Sequence, residues 1–415
     1  MAGLRGVPVV PMIPGVKPLF SASSMARFTA PERIALSLIA LLTVLAGLAN
    51  YQMWAPVPRF AIATVALAGL AWVVSFATEQ LGERFGPAVT GMLQSTLGNL
   101  PELFVVVFAL QKGELVVAQT AIVGSIFANA MLVLGLVIVV GAHRAPDGVM
   151  RFSHRLPRDT ATLLLVTVFI IVLLGLSLAS HDSASHHVDT ISAVGAVCLL
   201  IVYVAWVVPY LRADKRPGVE GTAESGAAEQ ALQSGDVDRP VTADLARGGT
   251  RQSNTPPSER EGPRLSLSFT LTLLFAGGIG SAFVSDWFVN ALEPAIVQLK
   301  ISQAFAGLVI VAIAGNAVEN TAGLVLAWKG RSDLAISVVK NSVAQIAAFL
   351  FPLLVLISFL LATTLTFALA PVYIGALLVM ALAMWQVTGD GEAAAFEGWA
   401  LVALYVILAT LTLYE

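Results

Sequence analysis

Apolar runs of roughly 18 to 25 residues follow one another along nearly the whole chain, broken only by short polar segments. As a helix rising about 1.5 Å per residue, each run crosses roughly 30 Å of hydrocarbon. Residues 162–178 and 400–413 are apolar on every side rather than alternating, so the spans read as helices and not as strands of a closed barrel. The pattern predicts eleven transmembrane helices, at 34–52, 57–79, 86–111, 115–142, 159–180, 190–211, 266–289, 301–327, 333–361, 364–385 and 396–414. Residues 212–264 are rich in Gly, Ser, Thr, Pro and charges of both signs, and cannot bury enough apolar surface to fold alone. The predicted architecture is an all-α membrane protein. It has a cytosolic tail at 1–33, an extra first transmembrane helix at 34–56, a five-helix repeat at 57–211, a cytosolic linker at 212–264 and a second five-helix repeat at 265–415.

Loop charges orient the chain. Arg5, Lys17, Arg27 and Arg33 precede the first span, Arg144, Arg151, Arg155 and Arg158 follow the fourth, and Arg212, Lys215 and Arg216 follow the sixth. All fall on one side if each span crosses once, and basic short loops mark the cytoplasm. The loop 181–189 has histidines 181, 186 and 187 and aspartates 182 and 189 but no Lys or Arg, and falls opposite. Lys329 and Arg331 return to the cytoplasmic side. Composition agrees: 57% of the 415 residues are hydrophobic and 12% charged, against roughly 25% charged in soluble domains. A net charge of −3 without a basic stripe sets nucleic acid aside as a partner. The single cysteine, Cys198, lies in an apolar run and can form no intrachain disulfide. Prolines at 8, 11, 14 and 18 interrupt the first twenty residues, which do not read as a secretory leader. The expectation is an integral multi-pass protein of a prokaryotic inner membrane, N-terminus in the cytosol.

The chemistry sits in a duplicated motif. Gly98-Asn99-Leu100-Pro101-Glu102 and Gly315-Asn316-Ala317-Val318-Glu319 are both Gly-Asn-x-x-Glu within apolar runs, and each is followed ten residues after its glutamate by a lysine, Lys112 or Lys329. The next apolar segment of each half carries polar residues at i and i+4, Ser125 with Asn129 and Asn341 with Gln345, which share a helix face. Five spans per half is an odd number, so the copies would lie in opposite orientation. Such inverted repeats place their site near the midplane, at helix interruptions for which Gly98 with Pro101, and Gly315, are candidates.

A carboxylate at bilayer depth costs about 2.5 to 3.5 kcal/mol on insertion scales, so intramembrane Glu102 and Glu319 point to an ion or proton path. Two carboxylates with Asn, Gln and Ser oxygens make an all-oxygen site. That suits Ca²⁺, which takes roughly 6 to 8 oxygens, better than zinc or copper. Without a cation two such acids hold protons, whereas a divalent ion requires them ionised, so cation and protons compete for one site.

These segments resemble the cation/proton exchanger branch of the calcium/cation antiporter superfamily. The likeness runs through Gly98-Asn99, Glu102-Leu103, Gly124-Ser125, Asn129 and Leu132-Val133-Leu134-Gly135 in the first half. In the second it runs through Gly315-Asn316-Ala317, Glu319, Asp333-Leu334-Ala335, Ser342, Gln345-Ile346-Ala347 and Pro352-Leu353-Leu354. The resemblance implies a Ca²⁺/H⁺ antiporter, not an enzyme, without a cofactor, that carries inorganic cations across a lipid bilayer. Glu102 and Glu319 would be the transport carboxylates, flanked by Asn99 and Asn316 and lined by Ser125, Asn129, Ser342 and Gln345. Asn320 stands where the family usually has histidine, Pro101 is similar to the sodium/calcium exchangers, and Lys340-Asn341-Ser342-Val343 replaces a small Gly-Ser-rich stretch.

Other readings compete. Na⁺ exchange against Ca²⁺ or H⁺ is the alternative within transport. No His-Glu-x-x-His or Gly-x-Ser-x-Gly supports an intramembrane hydrolase, and tightly binding paired acids argue against a passive channel. Asn99 and Asn316 could cap broken helices, and Ser125, Asn129, Ser342, Asn341 and Gln345 could be interhelical glue. Lys340 is expected to snorkel to the cytoplasmic interface, the sharper alternative being that its ammonium offsets a glutamate. The 181–189 loop reads as solvated rather than metal-binding.

Overall fold

The computed structural model describes residues 28–82, 84, 97–153, 155–213 and 265–415. The tail before residue 28, the start of the third predicted span and the linker beyond residue 213 lie outside the described residues. The helices are α1 (Ala30–Tyr51), α2 (Pro56–Gly82), α3 (Leu100–Gln111), α4 (Leu115–Arg144), α5 (Arg155–Ser180) and α6 (Val188–Ala213). Then come α7 (Leu267–Leu299), α8 (Gln303–Gly315), α9 (Ala317–Trp328), α10 (Ser332–Ser358), α11 (Pro371–Thr388) and α12 (Ala395–Leu413). Among the described residues nine are long and apolar enough to cross a membrane, and α8 with α9, bent by 61°, make a tenth if counted as one broken span.

Local chemistry explains several boundaries. Thr29 and Glu32 form a capping box that starts α1 ahead of the predicted residue 34. Ser302 caps α8 by accepting from the Phe305 amide at 2.8 Å. The run predicted to begin at 364 becomes helical only at Pro371, whose fixed φ suits a first turn. Before it, the Ser358 hydroxyl accepts from the Leu365 amide at 2.8 Å, so this apolar stretch is buried yet not helical. At the other end, α7 continues through Pro294 to Leu299, past the predicted residue 289.

Helices α4 and α10 form the heart of the bundle, with 83% and 72% of their apolar windows buried, whereas α1 is peripheral at 17%. Close packing at α4 depends on residues without side chains. A Cβ on Gly124 would lie 2.5 Å from the Leu308 Cα, and one on Gly307 would lie 2.9 Å from the Val117 carbonyl, so α4 and α8 meet backbone to backbone. Gly135 and Gly398 do the same for α4 and α12, each Cβ position 2.5 Å from the other's carbonyl oxygen.

Helices α4, α8 and α10 each contain a π turn, at Ala128–Val133, Ala306–Val311 and Ile346–Leu350. Those of α4 and α10 occupy matching places, the same distance beyond their half's glutamate to within a residue. The all-α expectation needs one addition: Val149–Arg151 (β1) pairs antiparallel with Glu392–Ala394 (β2). Met150 of this ribbon is buried, its sulfur filling the space beside Gly141. Arg151 pairs with Asp147 at 2.7 Å and Glu392 at 3.5 Å, and its hydrogen bond holds the Asp147 carboxyl below the usual range.

Gly124→Ala should cost on the order of 1–3 kcal/mol by overpacking and lower the melting temperature in detergent. Gly375→Ala, whose Cβ meets nothing within 4 Å, should leave it unchanged. Equal melting of both variants and the parent would contradict the α4–α8 approach.

Candidate functional site

Both motifs interrupt a helix in the same way. Leu97 and Gly98 are helical, Asn99 turns, and α3 begins at Leu100; Gly315 ends α8, Asn316 turns, and α9 begins at Ala317. Glu102 and Glu319 are therefore each the third residue of a new helix, where unpaired amides and the helix dipole favour negative charge. Both helices also end alike, on Lys112-Gly113 and Lys329-Gly330, with the glycines at φ 81° and 74°. A left-handed glycine just past the cap is a common helix stop.

The two breaks face each other's glutamate. A Cβ built on Gly98 would lie 3.7 Å from Glu319 Oε1, and one built on Gly315 would lie 3.7 Å from Glu102 Cβ. Glycine at each break thus leaves room for the acid of the opposite half. Glu102 is 1% exposed, with the Ser125 side chain against it, while Glu319 keeps partial accessibility and accepts a short hydrogen bond from the Ser342 hydroxyl.

Helix α4 joins the halves. The Asn316 amide donates to Ser125 Oγ and to the Ala312 carbonyl, both at 2.9 Å, and the Asn129 amide donates to the Ser125 carbonyl at 3.0 Å. Of the residues singled out in the sequence, the structure thus gathers Glu102, Glu319, Gly98, Gly315, Asn316, Ser125, Asn129 and Ser342. Asn99 is buried at the first break. Asn341 and Gln345 ride on α10, but that helix's hydrogen bond to Glu319 comes from Ser342.

What these groups leave over is a set of acceptors. Both carboxylate oxygens of Glu102 and the side-chain oxygens of Asn129, Asn316 and Asn320 are buried without a donor in hydrogen-bonding geometry among the described residues. Buried polar atoms normally find partners. A group of oxygens fits a hard cation as transported substrate. Among the described residues no three His, Cys, Asp or Glu cluster as zinc-type ligands.

Two polar contributions escaped the sequence reading, and Asn320 entered it only as a departure from the family pattern. Ser75 Oγ of α2 lies 3.9 Å from the Gly98 Cβ position, the Ser285 hydroxyl of α7 donates to the Pro101 carbonyl at 3.4 Å, and Asn320 adds its oxygen. The signal for Ser75 was a polar residue in an apolar run, and that for Ser285 was its place beside Ser281 and Asp286 within such a run.

Packing decides one of these expectations. Lys340 does not snorkel: it is 1% exposed, and its Nζ donates to Thr388 Oγ1 at 2.6 Å, at the end of α11. Ser342, two residues on, lies roughly 200° around the helix at about 3.6 residues per turn, so Lys340 faces away from the side that bonds Glu319. In the histidine-bearing loop, the Asp182 carboxylate caps the 3₁₀ turn Ser183–His187, accepting from the Ala184 and Ser185 amides at 2.9 and 3.1 Å. A hydrogen bond from the Ser177 hydroxyl, chiefly, holds that carboxyl below the usual range.

Comparison with known proteins agrees with this architecture. The profile of the sodium/calcium exchanger protein family matches residues 56–210 and 269–414. A Ca(2+)/H(+) antiporter of Synechocystis is 29% identical over 362 residues, covering 87% of this chain and 92% of that protein. The Ca(2+)/H(+) antiporter ChaA of Bacillus subtilis is 27% identical over 384 residues, covering 91% and 98%. The structure of native YfkE superposes with a TM-score of 0.69 at 24% identity, covering 92% of this chain and all of the other, and so shares the fold. The family profile spans well over half of the sequence, and the chain belongs to the sodium/calcium exchanger protein family.

Because Lys340 faces α11, Lys340→Met should leave the preference between Ca²⁺ and Na⁺ unchanged in flux measurements. A reversed preference would show that its ammonium acts on the glutamates.

Proposed function

We propose that this family member is a secondary active antiporter that exchanges Ca²⁺ for H⁺ at a site built around Glu102 and Glu319. One observation carries the reading: each half's helix break sits against the other half's glutamate, amid buried oxygens with no donor among the described residues. The names of the Synechocystis and Bacillus subtilis relatives support the choice of Ca²⁺ and H⁺.

In this reading the chain is two inverted five-helix repeats behind an extra first helix, eleven spans in all, with the N-terminus in the cytosol of a prokaryotic cell. The matched breaks, matched Lys-Gly caps and matched π turns of α4 and α10 support the duplication. Glu102 and Glu319 bind the ion directly. Asn129 and Asn316 offer amide oxygens, Ser125 holds the Asn316 amide, and Ser342 holds Glu319 in place. Asn99, Asn341 and Gln345 complete the lining.

Coupling follows from charge. A divalent ion needs both carboxylates ionised, and its departure leaves two like charges in a medium where an uncompensated ion is costly, so protons replace it. The site then changes the side to which it opens only when loaded with the ion or with protons, which yields exchange by alternating access.

Radioactive Ca²⁺ uptake by proteoliposomes with an imposed pH gradient tests this. Glu102→Gln and Glu319→Gln should each lower pH-driven uptake by roughly tenfold or more, the effect of losing a charged ligand. Ser125→Ala should weaken apparent Ca²⁺ affinity by roughly two- to tenfold, the worth of a neutral hydrogen bond. Acidifying the Ca²⁺-loading side should raise the apparent KM, because protons occupy the same oxygens. Uptake that follows a Na⁺ gradient and ignores pH would overturn the assignment.

A further inference from the structure

Beside the helix that carries Glu102, the outer wall of the bundle is indented. A groove of about 600 Å³ runs between α3 and α7. On α3 it is bordered by Leu100, Phe104 and Phe108, one helix face at a spacing of four whose next residue is Lys112, and before the break by Leu97. On α7 the border includes Phe275, Ile279 and Phe283, exposed at 68%, 57% and 56%. It ends at Asp286, which accepts from Lys112 Nζ at 2.9 Å. Gly278 leaves the space open: a Cβ there would meet only Leu100 Cδ1, at 4.0 Å.

Exposed aromatic and aliphatic side chains on a membrane-spanning helix face acyl chains. The groove's length is telling. Along the unbroken α7, from Leu274 to Asp286 is roughly 18 Å at about 1.5 Å per residue, a little over half of the roughly 30 Å hydrocarbon core, or one leaflet. The Lys112–Asp286 pair then falls at headgroup level. It is neutral overall, and its side chains are 31% and 38% exposed. The volume lies within the roughly 300–1,000 Å³ typical of a site for one small organic molecule. A second copy of this chain would have to insert a helix about 10 Å across.

We propose that this groove binds one acyl chain of a zwitterionic glycerophospholipid, its headgroup level with the closed network in which Lys112 donates to Asp286 at 2.9 Å and to Asn290 Oδ1 at 2.6 Å. The groove touches the first turn of α3, where Leu100 precedes Pro101 and Glu102, and where Ser285 of α7 donates to the Pro101 carbonyl. The bound chain therefore sets the spacing between α7 and the helix that carries Glu102. That consequence rests on the two-glutamate reading, whereas the lipid site itself does not.

The test uses the full chain in phosphatidylethanolamine nanodiscs doped with phosphatidylethanolamine bearing a diazirine in its acyl chain, with labelled peptides mapped after photolysis. Groove peptides containing Phe104, Phe108 and Phe283 should be labelled more heavily than the exposed face of α6 at Val194, Val197 and Ile201. Gly278→Leu should cut groove labelling by about fivefold or more, roughly 1 kcal/mol of binding, and leave α6 unchanged. Ala282→Leu, on the same wall, should do likewise and serves if Gly278→Leu fails to give a monodisperse protein. Groove labelling no heavier than that of α6, labelling indifferent to a folded variant, or crosslinks between two copies through these residues would overturn the proposal. Because labelling is read without transport, it fails or succeeds independently of the ion assignment.

Discussion

A carboxylate inside hydrocarbon must be answered by a cation, a proton or a set of fixed donors, and most of what is unusual in this bundle surrounds two of them. Each acid begins a helix, where backbone amides and the dipole meet its charge. Each helix begins where it does because Gly-Asn breaks the one before it. Among the described residues fixed donors are few: the Ser342 hydroxyl serves Glu319, the Ser125 side chain lies against Glu102, and none completes a hydrogen bond to either Glu102 oxygen. In the proposed reading the protein answers part of the charge, and a cation or protons answer the remainder.

The surrounding structure keeps that arrangement narrow. Glycines at the α4–α8 and α4–α12 contacts bring backbones together, which seats Ser125 and Asn129 against elements of the other half. The matched π turns insert a wider turn around Asn129 in α4 and directly after Gln345 in α10. Such turns often occur at functional sites, because they turn the following side chains without breaking the helix. At one end of the bundle, the β1–β2 ribbon and its ion pairs tie the loop after α4 to the loop before α12.

Much of this was legible in the sequence, for identifiable reasons. Hydropathy reports depth, so the long apolar helices stood out, and a motif repeated with its acid and its lysine pointed to the two matching helix breaks. Hydropathy does not report conformation: residues 359–370 are apolar and partly buried yet not helical, and α7 runs on through Pro294. The destination of Lys340 could not be read because its partner, Thr388, lies on another helix. Ser75 is a serine in an apolar run, where one polar residue is common, and Ser285 is one of two serines, with Ser281, in the apolar run that also holds Asp286. The three-residue strands pair across more than two hundred residues, a contact with no local signature.

The account's central claim is that cation and protons occupy the same pair of acids. It is tested most directly by counting protons released when Ca²⁺ binds, with titration calorimetry of the purified protein in two buffers of different ionisation enthalpy. The claim predicts a binding heat that changes with buffer, showing proton release, and loss of both binding and release in the Glu102→Gln, Glu319→Gln double variant. Ca²⁺ binding with a buffer-independent heat, or release that survives the double substitution, would contradict it.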